Sequence, residues 1–317
     1  MHTNGYSGYL GDFGTIKPAP RGGFFCALLF SFLLAGGTSA APVPGVSEIV
    51  VASYNIENYT LTGSQRTRIK TVVAREAVAD VIAEVRPDIL GLCEVGSIEA
   101  LEDLRERLKK RGFIFPYAEY VDGPDPERHV ALLSRFPWVH RQSLARVPYQ
   151  LNGAPELVRR GFLDVTVQVN PRYALRLVGV HLKSKLPVPE GETLVRRMEA
   201  RALRGLVDGI LLEDPQVNLL LYGDMNDTKE DASVRNILGL RGQPFSLTDL
   251  PAEDPGGDRW THYRFFTDVY SRIDYLMVNR ALRPELVPGS ARVSHSTQWR
   301  KASDHRLIYA ALVPQDR

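Results

Sequence analysis

The chain has 317 residues, 44% of them hydrophobic, with 21 prolines and 26 glycines, a composition that excludes a disordered or fibrous protein and supplies a sizeable core. Its 39 Lys and Arg against 37 Asp and Glu leave a formal net charge of +2, which excludes a protein that coats polyanions and leaves any phosphate preference to a local site. No linker, low-complexity tract or repeat follows residue 47, so one large domain over residues 41–317 is expected.

The first expected element is a signal peptide and leader over residues 1–40. Lys17 and Arg21 precede an apolar run at 24–35 (FFCALLFSFLLA), and small residues follow, with Thr38 and Ala40 placed for a cut before Ala41. The run is shorter than the about 20 residues a membrane span needs, so the chain is expected to be exported, periplasmic or extracellular, with no membrane span after cleavage. Removing Lys17, Arg21 and Asp12 changes 39 against 37 into 37 against 36, a net +1. Of the two cysteines, Cys26 falls in the leader and Cys93 remains, which excludes a disulfide within the mature chain.

Residues 48–55 (EIVVASYN) read as a β-strand. Ile69, Val73, Ala77 and Val81, with Val72, Val78 and Ile82 beside them, predict one face of a helix. Residues 88–95 (DILGLCEV) give a second strand. Leu101, Leu104 and Leu108 predict a second helix, acidic early (Glu99, Glu102, Asp103), basic late (Lys109, Lys110, Arg111) and stopped by Gly112. The runs FIFPYAEY, HVALLSRF, GFLDVTVQV and LRLVGVHL then predict consecutive antiparallel strands.

A long helix follows, with Leu194, Met198, Ala202, Leu206 and Ile210 as its expected seam and Arg196, Arg197, Arg201 and Arg204 outside it. Strand VNLLLY, a short helix near 231–238, a Pro/Gly-rich loop at 251–257, strand RIDYLMV and strand HRLIYAAL complete the order. Two mixed sheets packed face to face with helices outside would bury all these apolar runs.

Six of the strands carry polar groups at or near one end: Asn55, Glu94, His181, Asp224 with Asn226, Asp274, and the pair Asp304-His305. Such groups are costly to bury without partners, so if they converge something must compensate them. A divalent cation is the natural compensator. Oxygen donors dominate, no thiolate pair exists, and the histidines are not spaced as a zinc cage, which favours Mg²⁺, with Mn²⁺ as the alternative. Singly, each residue has a plain reading as a turn cap, a solvated strand end or a core histidine; the ordered set does not.

That set (SYNIEN, LGLCEV, HLKS, GDMND, RIDY, SDH) resembles the endonuclease/exonuclease/phosphatase superfamily, the deoxyribonuclease-I-like fold, over essentially the whole mature chain. The resemblance implies an α/β fold, a four-layer sandwich of two packed mixed β-sheets flanked by helices. By the same resemblance Glu94 looks like the principal metal carboxylate, Asn55 its amide companion, and Asp304 a further metal carboxylate. Asp224 and Asn226 resemble the pair that orients the attacking water and contacts the phosphate, His305 the histidine placed on the phosphate with Asp274 fixing its tautomer, and His181 the second histidine of the deoxyribonuclease-like branch. Whether Asp224 or a histidine is the general base stays open.

Arg160 and Lys183 are expected substrate contacts, against a solvated strand-edge arginine and a surface lysine as plain alternatives. Lys185 and Trp260 are weaker ones, Trp260 as a stacking surface or pocket wall. His262 and His129 are not expected to act. Cys93 stands where the family often has Gln, and Glu127 is the nearest residue that could orient His181.

The expected function is divalent-metal-dependent hydrolysis of phosphodiesters, as a nuclease on nucleic acid, by a monomer. A phospholipid phosphodiesterase or small-molecule phosphatase is the alternative within the same chemistry, and no apolar hairpin suited to a membrane stands out in the sequence. A non-catalytic secreted binding protein is the alternative of another class.

Overall fold

The computed structural model describes residues 47–316. The expected leader over residues 1–40 lies outside them. Two six-stranded sheets organise the rest. The first comprises β1 (Ile49–Tyr59), β2 (Ile89–Val95), β3 (Tyr117–Val121), β4 (His129–Ser134), β15 (Arg292–Val293) and β16 (Ile308–Leu312), in the order β15-β16-β1-β2-β4-β3. The second comprises β5 (Trp138–Arg141), β8 (Leu163–Asn170), β9 (Tyr173–His181), β10 (Leu219–Asp224), β11 (Thr248–Asp249) and β14 (Asp274–Val278), in the order β11-β14-β10-β9-β8-β5. Two hairpins stand apart, β6 (Pro148–Leu151) with β7 (Ala154–Leu157), and β12 (His262–Arg264) with β13 (Val269–Ser271).

Both sheets are mixed, because β1 runs parallel to β2 and β9 parallel to β10 while the other pairings are antiparallel. Alternating strand residues such as Leu132, Leu177 and Tyr222 fill the space between the sheets. The outer face of the first sheet packs on α1 (Val72–Val85) and α2 (Ile98–Lys110), and that of the second on α3 (Glu192–Glu213) and α4 (Ala232–Leu238). A short α5 (Trp299–Ala302) precedes β16. The result is the expected four-layer α/β sandwich. Among the described residues no helix is long and apolar enough to cross a membrane.

Three local expectations need correction. The run of consecutive antiparallel strands divides after β4, because β3 and β4 pair in the first sheet whereas β8 and β9 pair in the second. Helix α1 starts only at Val72, capped by the Thr71 hydroxyl, so Ile69 precedes it and Val73 faces solvent; Ala77, Val78, Val81 and Ile82 form its buried face. In α3 Ile210 is buried as expected, but the rest of the seam lies one residue on, at Val195, Leu203 and Val207, with Arg196 and Glu199 buried by polar partners that hydropathy does not reveal. Helix α2 matches its expectation, with Glu99 in the first turn and Arg107, Lys109 and Lys110 in the last.

Two glycines let the sheets carry the site. A Cβ on Gly91 would overlap the ring of Tyr222, whose hydroxyl crosses between the sheets to donate to the Ala131 carbonyl at 3.0 Å. Gly223, the penultimate residue of β10, has φ +139°, and a Cβ there would overlap the Val180 carbonyl oxygen of the neighbouring β9. Gly223→Ala is therefore expected to cost at least about 3 kcal/mol through strain and overpacking. Urea unfolding measures it, and a loss under 1 kcal/mol would show that β9 and β10 separate without difficulty.

Candidate active site

The polar strand ends converge because the strands are in register. Across the second sheet, His181 pairs with Asp224 and Asp224 with Asp274, so three side chains from β9, β10 and β14 emerge side by side. In the first sheet Asn55 pairs with Cys93, and the ladder then breaks: β2 bulges between Cys93 and Val95, with Glu94 at φ +66°. A bulge re-aims a side chain, and here it turns Glu94 towards Asn55. Glu57, Asn58 and Asn226 also adopt positive φ, and the backbone N–H groups of Glu57 and Asn58 bond Asn55 and Glu94, so uncommon backbone conformations cluster at these strand ends.

Asp224 is the hub. Its Oδ1 accepts from the Asn226 backbone N–H at 2.8 Å, and its Oδ2 accepts from the Asn55 amide at 3.0 Å and the Asn226 amide at 3.3 Å. The Nε2 atoms of His181 and His305 lie 3.5 and 3.8 Å from that same Oδ2. Glu94 accepts from the Asn55 amide at 3.2 Å and the Asn58 backbone N–H at 2.8 Å. His305 Nδ1 meets Asp274 Oδ2 at 2.8 Å, and Thr261 Oγ1 accepts from the Asp274 backbone N–H. Ser303 ties the segment before β16 to the end of β1, donating to the Asn55 carbonyl at 2.8 Å while accepting from the His305 N–H at 3.0 Å. Of these residues Glu94, Asp224, Asn226 and His305, joined by Asp304 and His262, line an open cavity of about 910 Å³.

The electrostatics follow from crowding acids at the mouth of a core. Burial and then the Asp274 charge push the Asp224 carboxyl up to about 7. Burial and then the Asp304 charge push Glu57 up to about 7 as well. Burial alone would lower His305, but the charge and hydrogen bond of Asp274 hold it well above its ordinary value. His181 is driven well below its own by burial and then by Arg160, so its ring is neutral. Asp304 is held down despite burial by its hydrogen bond from His262 and the charge of His305.

A divalent cation fits this donor set. Ligand atoms of His262, Asp304 and His305, and separately of Asp224, Asp274 and His305, lie within 4.8 Å of one another. Glu94 and Glu57 add hard oxygen donors beside them, and a cation is what would relieve two carboxyls held up near neutrality.

The pH dependence of the metal-free protein has a definite sign. The native state retains protons on Asp224 and Glu57 that the unfolded chain releases between the ordinary carboxylate range and about 7, so each loses stability as pH rises through that window. His305 acts in the same direction, its contribution complete below its ordinary value of 6.5 and lost as pH rises through its raised one. His181 opposes them, because the native state excludes a proton that the unfolded chain takes up below 6.5. Three groups against one give a higher melting temperature at about pH 5.5 than at about pH 7.5 in chelator. Added Mg²⁺ is expected to raise it more at the higher pH. Calorimetry at both values checks this, and a metal shift that is larger at the lower pH would contradict it.

Of the expected site residues, Asn55, Glu94, His181, Asp224, Asn226, Asp274, Asp304 and His305 come together. Arg160 and Lys183 do not reach the cavity with their charged ends. Arg160 is 4% exposed, pairs with Asp125 at 2.9 Å and donates to the Leu182 carbonyl at 3.1 Å, so it is neither a solvated arginine nor one offered to substrate. Lys183 turns its Nζ onto the carbonyls of Ser184 and Leu186 at 2.8 and 2.6 Å, holding a loop. The Leu182 carbonyl that Arg160 reaches also accepts from the Asn226 amide at 2.9 Å, so Arg160 supports the site from behind.

Glu127 does not orient His181. It bonds Ser64 instead, and His181 Nδ1 is buried with no hydrogen-bond partner among the described residues. Cys93 points away from Glu94, donating to the Val180 carbonyl. Trp260 packs on Trp299 and Tyr270 with Arg306 over its face, so its ring is used internally. His129 is a core histidine bonded to the Val95 carbonyl.

Sequence reasoning missed His262, whose Nε2 lies 3.6 Å from Asp304 and whose ring lies 4.6 Å from that of His305. Nothing in the three-residue β12 signals this. It also missed Glu57 with Lys70, whose Nζ bonds the Glu57 carbonyl at 2.9 Å. Here a signal existed, since Glu57 lies two residues beyond Asn55.

Residues 52–305 match the family described as endonuclease/exonuclease/phosphatase. The chain belongs to the endonuclease/exonuclease/phosphatase family. Its members are metal-dependent hydrolases of phosphoesters. Similar solved structures include an endonuclease/exonuclease/phosphatase from Beutenbergia cavernae, with 21% identity over 85% of this chain and 72% of that one and a TM-score of 0.58. Sphingomyelinase C from Streptomyces griseocarneus shares 18% identity over 84% of this chain and 100% of that one, with a TM-score of 0.58. The human nocturnin catalytic domain, solved with a sulfate anion, shares 16% identity over 84% and 94%, with a TM-score of 0.59. At these identities the likeness establishes the fold. No curated protein matches the chain in sequence.

Proposed function

We propose that the protein is a divalent-metal-dependent phosphodiesterase that cleaves nucleic acid. The observation that carries the chemistry is the pairing of a buried Asp274–His305 contact at 2.8 Å with Asp224 Oδ2 only 3.8 Å from the other nitrogen of that imidazole. A phosphate seated against both groups at the cavity mouth meets a base in Asp224 and a cation in His305. Asp224, poised near neutrality, takes the proton of the attacking water. His305, kept protonated by Asp274, faces the phosphate oxygens and opposes their growing charge. The Asn55 and Asn226 amides steady Asp224 and reach towards the same oxygens. Glu94 and Asp304, with Asn55 beside them, would hold a Mg²⁺ or Mn²⁺ ion, which when bound neutralises phosphate charge and stabilises the leaving oxygen.

A second reading has its own support. The β12–β13 hairpin at the cavity rim carries an exposed apolar tip, with Phe265 67%, Phe266 94%, Val269 50% and Tyr270 52% exposed. This corrects the expectation that no such hairpin exists: its apolar residues are separated in the sequence by Thr267 and Asp268 and become one patch only when the hairpin folds. Exposed rings beside a phosphate site suit stacked bases. They equally suit a lipid surface, where each fully buried Phe contributes about 1.5–3 kcal/mol.

Purified protein incubated with plasmid, single-stranded oligonucleotide, a vesicle-borne lipid phosphodiester and a phosphomonoester, each with Mg²⁺ or chelator, separates these readings. Metal-dependent cleavage of nucleic acid is expected. Turnover of the lipid alone, lost in Phe266→Asp, would replace the nuclease reading with the lipid one. No turnover on any substrate would leave a non-catalytic binding protein.

A further inference from the structure

We infer that a groove beside the β11–β14 edge of the second sheet is a track for single-stranded nucleic acid, carrying the strand onward from the catalytic cavity. This deepens the nuclease reading and rests on it. The groove has a volume of about 690 Å³, and Lys229, Arg241, Arg280 and Arg283 stand in its lining against one carboxylate, Asp249.

That carboxylate is already neutralised. Asp249 is 9% exposed, and its oxygens accept from Lys229 at 3.2 Å and from Arg272 at 2.8 and 2.5 Å. Arg241, Arg280 and Arg283 are exposed, and none of them forms an ion pair among the described residues. Three uncompensated guanidinium groups in one cleft are unexpected in a chain whose net charge is only +2. They create a local positive field where the protein as a whole has almost none.

The groove is joined to the site. Thr228 and Arg272 line the catalytic cavity, while Lys229 and Asp249 line the groove. The Lys229–Asp249–Arg272 contacts are therefore a shared wall between the two. Along β14 the path runs from Asp274 at the cavity to Arg280 just beyond the strand, about 20 Å at 3.4 Å per residue, enough for several nucleotides of an extended strand. Gln243 and Ser246 supply neutral hydrogen-bonding groups in the same lining. Because the arginines line a concave cleft, they suit a thread of phosphates better than a flat lipid surface.

The test is the triple variant Arg241→Gln/Arg280→Gln/Arg283→Gln, all three side chains being exposed and remote from the catalytic groups. Binding of a fluorescent single-stranded oligonucleotide is followed by anisotropy in chelator across a salt series, alongside Mg²⁺-dependent hydrolysis of the same oligonucleotide and of bis(p-nitrophenyl) phosphate. The variant is expected to bind about 10- to 100-fold more weakly, with a salt slope reduced by about 2, at about 0.7 per lost phosphate contact on a single strand. Hydrolysis of the small diester should be unchanged.

Equal affinity and slope in both proteins, or no oligonucleotide binding by the wild type, overturns the track. So does stronger binding of anionic vesicles than of the oligonucleotide through the same arginines. Binding that depends on the arginines without any cleavage upholds the track and defeats the nuclease reading. Cleavage at an undiminished kcat/KM in the variant does the reverse.

Discussion

Asp224→Ala is expected to lower kcat about 10³- to 10⁴-fold on any phosphodiester the protein cleaves, while the melting temperature stays within a few degrees of the wild type. The loss combines a missing proton acceptor with the release of the Asn55 and Asn226 amides that Asp224 holds at 3.0 and 3.3 Å. The small thermal effect has a separate cause. Asp224 is fully buried next to Asp274, and its carboxyl is pushed up to about 7, so its charge is a burden on the native fold rather than a support. Its removal leaves the Asn226 N–H without an acceptor but relieves the repulsion, and Asn55 keeps Glu94 as a partner. Steady-state kinetics with a thermal melt measure both quantities. If the variant unfolds, Asp224 is holding the strands together and the catalytic assignment fails.

The second large effect concerns the Asp274–His305 pair. His305→Ala should lower kcat by about 10²- to 10⁴-fold, and Asp274→Asn by about 10²-fold, because the amide no longer holds the ring in its charged form. The double variant should be no worse than His305→Ala, since the two side chains act as one unit through the 2.8 Å contact. Loss of the Asp274 charge also removes the leading influence that holds His305 above its ordinary value. The fall in kcat at high pH, where His305 gives up its proton, should therefore move to lower pH in Asp274→Asn. Multiplicative single effects, or an unmoved profile, would show that Asp274 works elsewhere.

Much of this site was legible because each strand announces itself by an apolar run and its polar terminus by an abrupt change of chemistry. LLLYGDMND shows this most plainly: Leu219, Leu220 and Leu221 are completely buried, and Asp224 and Asn226 follow where β10 leaves the core. The errors have equally local reasons. Arg160 and Lys183 lie near the site in sequence but turn away from it, because orientation depends on partners that hydropathy does not reveal, Asp125 from a distant segment for Arg160 and the carbonyls of its own loop for Lys183. His262 was invisible because a three-residue strand carries no period, and its importance comes from lying beside His305 across an isolated bridge.

By itself the sequence determined the alternation of strands and helices, the burial of their apolar faces and the identity of the acids, amides and imidazoles at the strand ends, since these depend on periodicity and on the cost of burying polar groups. Only the tertiary structure decided which of those groups meet. Strand register set His181, Asp224 and Asp274 side by side, and the bulge at Glu94 turned its carboxylate towards Asn55. It also gathered Lys229, Arg241, Arg280 and Arg283 into one groove and Phe265, Phe266, Val269 and Tyr270 into one exposed tip. The site and the groove gather residues distant along the chain, where no local propensity acts, through the packing of two twisted sheets against each other, whereas the tip forms when one hairpin closes.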